Sequence, residues 1–509
     1  MRIFELNVVK KDWRKVPIKV LFVYPNVYRV GMTSLALQII YGMVNERVDS
    51  LCERAFLPYQ DSRITSLESG LEMRRFDVVA FSFQYETDYA NALRMLKMGG
   101  IPLSSKERGE SSPLIMAGGP CVWENPEPIA DFFDLLFIGE AENFMDEFID
   151  RLVEVGDPRT NKEEFLDLRG VYIPSLGRHS VRRNWVKDLD EVYYPRAQVI
   201  PIVEKIMREF SPVFGRAFLM EVVRGCGMGC RFCLIGHQCK PMRFRSFNNV
   251  KNIIDDATKD GKVPKVAFIG SALASHPRLK DICWHVINKG MEISLSSVRV
   301  DLFDEEIAEA IYRGGQRTVT FAPETGSDEL RYKIGKSFDN DTMIKAASVS
   351  REVGIKNVKL YFIVGLPGER EDDLREIPIL VRKIASLGFG GKNVRVGITP
   401  FIPKPHTPFQ FEPQPPLEVL KSKVGFLKKE LRKVGIKRIF YLDPTWAKIQ
   451  AALSLGDRRI GEVIRIASEY GNTLYGWKRA QVESGITLSN YSDIRRGPKE
   501  DVPWSHVEV

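Results

Sequence analysis

Long hydrophobic runs are missing from this 509-residue chain, and cysteine is scarce. No apolar run approaches the roughly 18 residues that a membrane-spanning helix needs. The first residues also lack the basic-then-apolar pattern of a secretory signal. The seven cysteines are an odd number in so large a chain, which argues against a framework of disulfides. We therefore expect a cytoplasmic protein that keeps its thiols reduced.

No excess of one charge dominates the composition. The 74 lysines and arginines against 66 aspartates and glutamates leave a net charge of +8, and 44% of residues are hydrophobic. The length allows two to four domains with substantial cores. The segment 421–438 is clearly basic, which is typical of a solvated helix face; an anionic partner such as RNA is the other interpretation.

Three of the seven cysteines lie in one eight-residue loop. Cys226, Cys230 and Cys233 have the spacing Cys-x3-Cys-x2-Cys and follow an apolar run, residues 217–223, that is typical of a buried strand. Glycines between them give the loop the conformational freedom to wrap a compact object. Three thiolates can hold three irons of a cubane cluster and leave the fourth iron open, whereas a structural zinc ion takes four ligands.

This spacing resembles the signature of radical S-adenosylmethionine (SAM) enzymes, down to the aromatic Phe232 before the last cysteine, which the resemblance places against SAM. The resemblance implies that the three cysteines hold a [4Fe-4S] cluster whose open iron binds SAM. An electron from a low-potential donor such as ferredoxin or flavodoxin then cleaves SAM to a 5′-deoxyadenosyl radical. A zinc knuckle completed by Cys239 or His237 is the alternative, but the preceding strand and the βα repeats beyond the loop favour the cluster.

Residues 1–155 alternate between strands and helices. Apolar segments at 19–25, 77–82, 114–118 and 135–138 each end in a loop of small or polar residues, and helical patterns lie between them at 34–44, 89–98 and 141–155. This alternation predicts a Rossmann-like, doubly wound sheet whose ligand sits beyond the carboxyl ends of the strands.

The loops at those strand ends resemble the cobalamin-binding domain that precedes many radical SAM domains. Where a histidine of that domain ligates cobalt, the first loop reads Asp-x-His-x-x-Gly; the matching positions here are Asn26, Tyr28 and Gly31, so no imidazole from this loop can reach cobalt. The resemblance implies cobalamin contacts from the following residues: Asn26, Tyr28, Gly31, Ser34, Gln84, Gly118, Gly119, Gly139 and Glu140.

The tyrosine at this position leaves two interpretations open. Cobalamin binds base-off with its lower face free or water-bound, or the domain has lost cobalamin and serves as a scaffold. A dinucleotide site fits less well, because no Gly-x-Gly-x-x-Gly follows the first strand.

The middle of the chain predicts a linker and then a barrel. Residues 156–211 resemble an inter-domain linker with a short hairpin formed by 171–174 and 179–183. Residues 212–402 alternate strands and helices, with strands at 218–223, 265–269, 292–296, 318–322, 357–364 and 393–400. Six such units predict a partial (β/α)6 barrel with its chemistry at the strand carboxyl ends, which the radical SAM resemblance implies too.

Four of the barrel's strand ends carry residues that the resemblance places near SAM. Gly270 ends the second strand and is expected to act through its backbone. Ser296 and Arg299 follow the third strand; Arg299 either faces the SAM carboxylate or pairs with Asp301.

At the fourth strand end, Glu324 either accepts hydrogen bonds from SAM or caps the helix that begins near Ser327. Gly365 opens a glycine loop expected to pass the adenine. No residue is assigned a catalytic role from the sequence.

Residues 403–509 predict a mainly helical extension. A stiff segment, 399–410, joins it to the last barrel strand and is rich in proline and aromatic residues. Lys404, His406 and Thr407 in this segment either meet substrate at the barrel mouth or belong to a rigid tether.

Over its whole length the chain resembles an uncharacterised branch of radical SAM proteins with a cobalamin domain. The implied reaction is cobalamin-dependent methylation of an unactivated carbon. Radical rearrangement, dehydrogenation and methylthiolation are alternatives, although methylthiolation ordinarily needs a second cluster and hence more clustered cysteines. A non-enzymatic cobalamin or SAM sensor is a further one. The substrate cannot be read from the sequence, and RNA is one possibility.

Overall fold

The structure, a computed structural model, describes residues 4–59, 63–202, 210–498 and 500–509. Residues 203–209 of the predicted linker lie outside them. In the described part, no helix combines the length and apolarity needed to cross a membrane. The chain forms an N-terminal sheet domain, a barrel, and a C-terminal extension that packs on both.

The N-terminal domain is built on a six-stranded sheet. The strands of this half are β1 (Phe4–Leu6), β2 (Ile18–Tyr24), β3 (Ser50–Phe56), β4 (Val78–Ser82), β5 (Leu114–Gly118), β6 (Leu135–Phe137), β7 (Val171–Tyr172), β8 (Val181–Arg182) and β9 (Ile200–Ile202). The order in the sheet is β3-β2-β4-β5-β6-β7, parallel except for β7. The predicted doubly wound, Rossmann-like class is confirmed.

Helices cover both faces of this sheet. They are α1 (Tyr28–Gly31), α2 (Leu35–Glu46), α3 (Tyr89–Met98), α4 (Pro120–Glu124) and α5 (Met145–Val155). Helices α2 and α5 pack on one face, and α3 packs on the other. The Ser34 hydroxyl caps α2 by accepting a hydrogen bond from the Leu37 N–H, which fixes where the chain turns from loop into helix.

Two expectations for this half are wrong. Strand β3 was not predicted, because Glu53 and Arg54 interrupt its apolar pattern; the Arg54 guanidinium is buried and paired with Glu5 and Glu68. The predicted hairpin does not form either. Strand β7 joins the sheet beside β6, while β8 pairs with a strand at the far end of the chain, so the two do not pair with each other.

The barrel strands follow the predicted order. They are β10 (Phe218–Glu221), β11 (Val223–Arg224), β12 (Arg243–Phe244), β13 (Lys265–Ile269), β14 (Glu292–Leu295), β15 (Thr318–Glu324), β16 (Asn357–Val364) and β17 (Val394–Pro400). The first strand is shorter than predicted, since β11 leaves the wall to pair with β12. The Gln316 side-chain amide lies between β14 and β15. It accepts a hydrogen bond from the Leu295 N–H and donates one to the Leu295 carbonyl.

Helices connect these strands around the outside of the barrel. They are α6 (Ile235–Gln238), α7 (Phe247–Thr258), α8 (Leu279–Asn288), α9 (Glu305–Arg313), α10 (Asp328–Lys333), α11 (Asn340–Glu352), α12 (Glu371–Ile384) and α13 (Gly390–Asn393). Every second residue of the strands packs under these helices in one large apolar core. The alternate residues face the barrel interior.

The C-terminal extension contains α14 (Leu417–Lys433), β18 (Arg438–Tyr441), α15 (Pro444–Leu455), α16 (Ile460–Glu469), α17 (Leu474–Ser484), α18 (Ser489–Ser492) and β19 (Val507–Glu508). It is mainly helical, as expected, but β18 adds a strand beside β17 and so lengthens the barrel wall. Residues of α15, α16 and α17 share one apolar core with α3 and the N-terminal sheet. The domain boundaries drawn from the sequence stay a prediction.

Candidate functional site

The cysteine loop follows β11 and is held from two sides. The Arg231 N–H donates to the carbonyl of Ile334 at 2.9 Å, and the Arg231 carbonyl accepts from the Phe409 N–H at 3.1 Å. Phe232 packs in a small apolar cluster with Leu330 and Phe401, among others. A helix turn of the barrel and the proline-rich segment therefore fix the loop without using its sulfurs.

The three thiols form no disulfide, and opposing effects act on two of them. Burial raises the pKa of Cys230 to about 12, and the ammonium of Lys336 acts in the opposite direction. Burial also raises the pKa of Cys233, against hydrogen bonds from the backbone N–H groups of Gly236 and Ile235. An ammonium and two N–H donors are groups that stabilise thiolates, the form that binds iron.

The two residues considered as a fourth zinc ligand are engaged elsewhere. His237 has its Nε2 3.0 Å from the Cys230 carbonyl oxygen and its Nδ1 3.4 Å from the Lys240 ammonium. Cys239 is buried beside the charged groups of Glu140 and Arg183. The loop thus offers three sulfurs and no obvious fourth ligand, which fits a cubane cluster with an open iron better than a zinc knuckle.

Glu324 ends β15 in a strained conformation close to the cysteines. Its φ is +64°, a left-handed value that costs a non-glycine residue about 1 kcal/mol or more. Its carboxylate accepts from the Lys336 ammonium at 2.7 Å. The helix cap proposed as its alternative role belongs to Ser327, whose hydroxyl accepts from the Leu330 N–H. Glu324 is therefore available to orient a ligand at the barrel mouth.

The other residues expected near SAM have mixed surroundings. Gly270 and Ser296 line a cavity between the N-terminal domain and the barrel. A Cβ on Gly270 would lie 2.6 Å from Val223 Cγ1, so only glycine fits there. Arg299 binds both carboxylate oxygens of Asp301, which matches the second interpretation of this arginine.

Gly365 has a φ of +80°, and its N–H donates to the Glu369 carboxylate at 2.9 Å. A Cβ here would meet Leu420 of α14 at 2.8 Å, so the extension packs against this loop. The expectation that it passes an adenine stays a prediction.

A cavity of about 770 Å³ lies between the carboxyl ends of the N-terminal strands and the mouth of the barrel. It continues down one face of the sheet between β2, β4 and β5 and the helices α2 and α5, where its walls are apolar. The predicted residues that line it are Ser34, Gln84, Gly118, Gly119, Gly139, Glu140, Gly270 and Ser296. The structure thus brings expected cobalamin and SAM residues to one space of the size that cofactors occupy.

Three predicted cobalamin residues do not line this cavity. The Tyr28 hydroxyl donates to Glu5 at 2.8 Å, and its ring packs edge-on against Phe56. Asn26 donates to the Asp88 carboxylate at 2.9 Å, and a Cβ on Gly31 would lie within the Phe56 ring. The first loop therefore folds back onto its own domain, which corrects the expectation for these positions.

The glycines at two strand ends serve the fold itself. Gly119 has a φ of +106° and would place a Cβ 2.5 Å from the Phe83 carbonyl oxygen. Gly139 has a φ of +134° and would place one 2.2 Å from the Asn184 carbonyl oxygen. Close backbone packing explains both glycines, so they are weaker evidence for a flat ligand than the sequence suggested.

Glu140 lines the cavity, but its carboxylate forms ion pairs that join two domains. It binds Arg224, which precedes the cysteine loop, at 2.9 Å and Arg243 of β12 at 2.8 Å. Burial alone would raise the pKa of Glu140; the two guanidinium groups hold it below its ordinary value. Arg224 also pairs with Glu142 and Glu221. The sequence reasoning missed this network, although Arg224 stands directly before the loop.

A second buried network anchors the proline-rich segment. The Lys404 ammonium contacts the carboxylates of Glu86 and Glu124, and the His406 ring is 3.1 Å from the Glu124 carbonyl oxygen. Glu86, Cys121 and Glu124 bring one possible ligand atom each within 4.8 Å, but the ammonium already supplies the cation there. The segment therefore behaves as a tether to the N-terminal domain.

Comparison with known proteins agrees with this combination of fold and site. Residues 36–174 match the family model described as radical SAM proteins, N-terminal, and residues 220–378 match the radical SAM superfamily model. The fold and the cysteine loop define a radical SAM enzyme, and the chain belongs to that superfamily.

Within the superfamily, the chain is similar to a protein without an assigned activity. It is 31% identical over 445 residues to the uncharacterized protein MJ0966 of Methanocaldococcus jannaschii, covering 87% of this chain and 90% of that one. A shorter match is the putative methylthiotransferase MJ0865 of the same organism, 27% identical over 203 residues, 37% of this chain and 43% of the relative.

Two solved structures share the architecture at low sequence identity. TsrM from Kitasatospora setae, a radical SAM methyltransferase solved with cobalamin and a [4Fe-4S] cluster, superposes with a TM-score of 0.54 at 13% identity, covering 92% of this chain and 99% of TsrM. OxsB, a cobalamin-dependent radical SAM enzyme solved with aqua-cobalamin, gives a TM-score of 0.56 at 16% identity, covering 93% and 72%. At such identities the likeness establishes the fold.

Proposed function

We propose that this radical SAM enzyme methylates an unactivated carbon and uses cobalamin as the methyl carrier. The observation that carries the proposal is the single cavity lined by the strand ends of both domains, with Ser34 and Gly118 on one side and Gly270 and Ser296 on the other. Methyl transfer of this kind needs two cofactors to face one substrate, and a shared space between two domains provides for that.

Cys226, Cys230 and Cys233 would hold the cluster. When bound, the cluster and SAM supply one-electron chemistry that removes a hydrogen atom from carbon, and cobalamin supplies a transferable methyl group. The chain itself provides position and shielding. Glu324, held by Lys336, directs a carboxylate oxygen to the barrel mouth, where an amino group or ribose hydroxyls are natural donors.

The cavity walls fit cobalamin in two respects. The narrow part between the sheet and its helices is lined by Val20, Phe22, Ala80, Met116 and Phe148, an apolar slot suited to the flat base of the cobalamin nucleotide tail. No histidine is among the cavity's lining residues in the described part of the chain, so no imidazole would replace that base on cobalt. Both features favour the base-off interpretation over a scaffold that has lost cobalamin.

Methylthiolation is supported less well. The four cysteines outside the loop, Cys52, Cys121, Cys239 and Cys283, are all buried. Cys52 and Cys283 lie in the separate apolar cores of the two domains. The cysteines thus supply one cluster site, whereas sulfur insertion ordinarily uses two.

The proposal is tested with protein reconstituted anaerobically with iron, sulfide and cobalamin. Replacing Ala80 by phenylalanine fills the apolar slot and should abolish the visible spectrum of bound cobalamin, while iron content and 5′-deoxyadenosine formation from SAM remain. Ala80→Gly leaves the slot open and is the matched control. Cys226→Ala, Cys230→Ala and Cys233→Ala should each lose the cluster and SAM cleavage but retain cobalamin.

Two results would overturn parts of this proposal. Wild-type protein that cleaves SAM but binds no cobalamin would leave a radical enzyme without methyl transfer. Cysteine variants that still cleave SAM would remove the cluster assignment itself.

A further inference from the structure

The barrel strands form two sheets, and the second consists of β15, β16, β17 and β18. On its inner face are three cations that have no carboxylate partner in the part of the chain that the structure describes. Lys359 of β16 is paired in register with Arg395 of β17, which is paired with Arg438 of β18. Partnered residues of parallel strands project to the same side, so the three side chains form one row across three neighbouring strands. With strands about 4.8 Å apart, the row spans about 10 Å.

Lys359 and Arg395 are partly shielded, whereas Arg438 is exposed. In the described part of the chain none of the three forms an ion pair, and the Arg395 Nε is buried without any hydrogen-bond partner. On the basic helix α14, by contrast, Lys421, Lys423 and Lys433 each pair with a glutamate. An unpartnered guanidinium in a shielded position is costly, and a bound anion would supply its missing acceptor.

Aromatic rings lie on the same face, nearer to the carboxyl ends of the strands than the cation row; we call them the aromatic level. Tyr361 and Phe440 lie two residues further along β16 and β18, and both are exposed, at 36% and 57%. Gly397 lies between them in register, and a Cβ there would be 2.7 Å from the Tyr361 ring, so the ring lies flat over the backbone. The backbone covers one face of the Tyr361 ring, and the Lys359 ammonium lies over the ring, 4.5 Å from its centroid. A base would stack on this ring in the place that the ammonium leaves when it contacts phosphate.

The aromatic level reaches toward the cavity of the N-terminal domain. Tyr85, 57% exposed, lines that cavity; burial raises its pKa, and Tyr361 adds a smaller electrostatic effect in the same direction. The cation row lies five residues, about 16 Å, from the carboxyl end of β16, and the Tyr361 ring lies three residues, about 10 Å, from it. A ligand bound to both levels would therefore direct its far end to the site where the cluster and SAM are expected.

We propose that the barrel interior binds a phosphate-bearing nucleotide unit, with phosphate on the row Lys359, Arg395 and Arg438 and the base on Tyr361. This names the substrate class for the proposed function and rests on it. Arginine recognises phosphate with paired donors, and bases of any sequence stack on aromatic rings. The unit is either a free nucleotide or one nucleotide of a single RNA strand, since both carry the same chemistry.

The binding test uses the full-length protein and three probes: a fluorescein-labelled mixed-sequence oligoribonucleotide, AMP and inorganic pyrophosphate. Arg395→Gln should weaken binding of every probe about tenfold, and Tyr361→Ala should weaken the two nucleotide probes about tenfold while sparing pyrophosphate. For the oligoribonucleotide, the slope of log affinity against log salt should fall by about 0.7 in Arg395→Gln. Lys429→Gln, which removes an exposed cation from α14, should leave all affinities within twofold.

The probes distinguish the source of the nucleotide. Tight oligoribonucleotide binding with weak AMP binding assigns RNA, and the reverse assigns a free nucleotide. The proposal is overturned when Arg395→Gln binds as the wild type does, when Lys429→Gln loses as much as Arg395→Gln, or when the wild type binds no probe.

This result is separable from that of the proposed function. The cluster-free variant Cys226→Ala should bind the nucleotide probes normally, so a failure of SAM cleavage leaves the binding assignment standing. Normal SAM cleavage without nucleotide binding would overturn this inference alone.

Discussion

The junction beside the cysteine loop and the barrel interior both hold shielded charges, and the charges of these two regions differ in their partners. At the junction beside the cysteine loop, Arg224 contacts three carboxylates, from Glu140, Glu142 and Glu221. In the barrel interior, Lys359 and Arg395 have no carboxylate partner among the residues that the structure describes. Paired charges at the junction hold domains together, whereas the unpaired charges of the barrel interior are the basis of the proposed nucleotide site.

The largest expected effect comes from breaking the junction. Arg224→Met leaves three buried carboxylates without their common partner, which should cost about 3–5 kcal/mol of stability. Urea unfolding of the metal-free protein, followed by tryptophan fluorescence, measures the loss. Arg278→Met, which breaks the exposed pair with Asp281, is the control and should leave the midpoint almost unchanged. Equal losses in both variants would erase the contrast between the two regions.

Asp88 sharpens the comparison, because it is a buried carboxylate near the junction that has no cationic partner within the described ranges. One of its oxygens accepts hydrogen bonds from the side-chain amides of Asn26 and Asn91. Burial raises the pKa of Asp88 to about 7, against these two hydrogen bonds. The folded protein therefore keeps a proton here that the unfolded chain releases near pH 4.

The pH dependence follows from that shift. Between about pH 4 and pH 7 the folded state binds more protons than the unfolded state, so Asp88 costs increasing stability as pH rises, and the full cost remains above pH 7. Asp88→Asn keeps the accepting oxygen and removes the charge. It should match the wild type at pH 4 and be about 1–3 kcal/mol more stable at pH 8. A stability difference independent of pH would contradict the assignment.

The smallest expected effect is on stability in the barrel interior. Arg395→Gln breaks no ion pair, so unfolding should change by about 0.5 kcal/mol or less, and the removed desolvation cost favours a slight gain. The same urea titration measures it. A loss of stability as large as that of Arg224→Met would mean that Arg395 stabilises the fold. The contrast between the junction and the barrel interior would then be wrong for the barrel interior.

Local patterns in the sequence predicted most of the strands. Apolar runs bounded by glycine or polar residues located the segments that became β5, β13 and β16, because a buried parallel strand needs such a run. Strand β3 escaped this signal, since Glu53 and Arg54 interrupt its apolar run and find their partners in other segments, Ser69, Glu68 and Glu5. The partners of β7 and β8 were missed as well: β7 joins β6 across the whole of α5, and β8 pairs with β19 across hundreds of residues, so neither pairing leaves a local trace.

The site was predictable to the extent that it is local. The cysteine spacing identified Cys226, Cys230 and Cys233, and strand-end positions identified Ser34, Gln84 and other residues that line the cavity. The roles of side chains were not predictable, because they depend on neighbours from other elements. The Tyr28 hydroxyl binds Glu5 instead of lining the cavity, and the Glu140 carboxylate pairs with two arginines of the barrel. The inner row of cations became visible only through strand register.

The C-terminal helices that complete the N-terminal core have a consequence for synthesis. One face of the N-terminal sheet and α3 is covered by residues of α15, α16 and α17, some 350 positions later in the chain. A chain leaving the ribosome must therefore keep that apolar face uncovered until α15, α16 and α17 have been translated. We expect nascent chains that stop before α15 to be captured by chaperones, and cofactors to be loaded only after release.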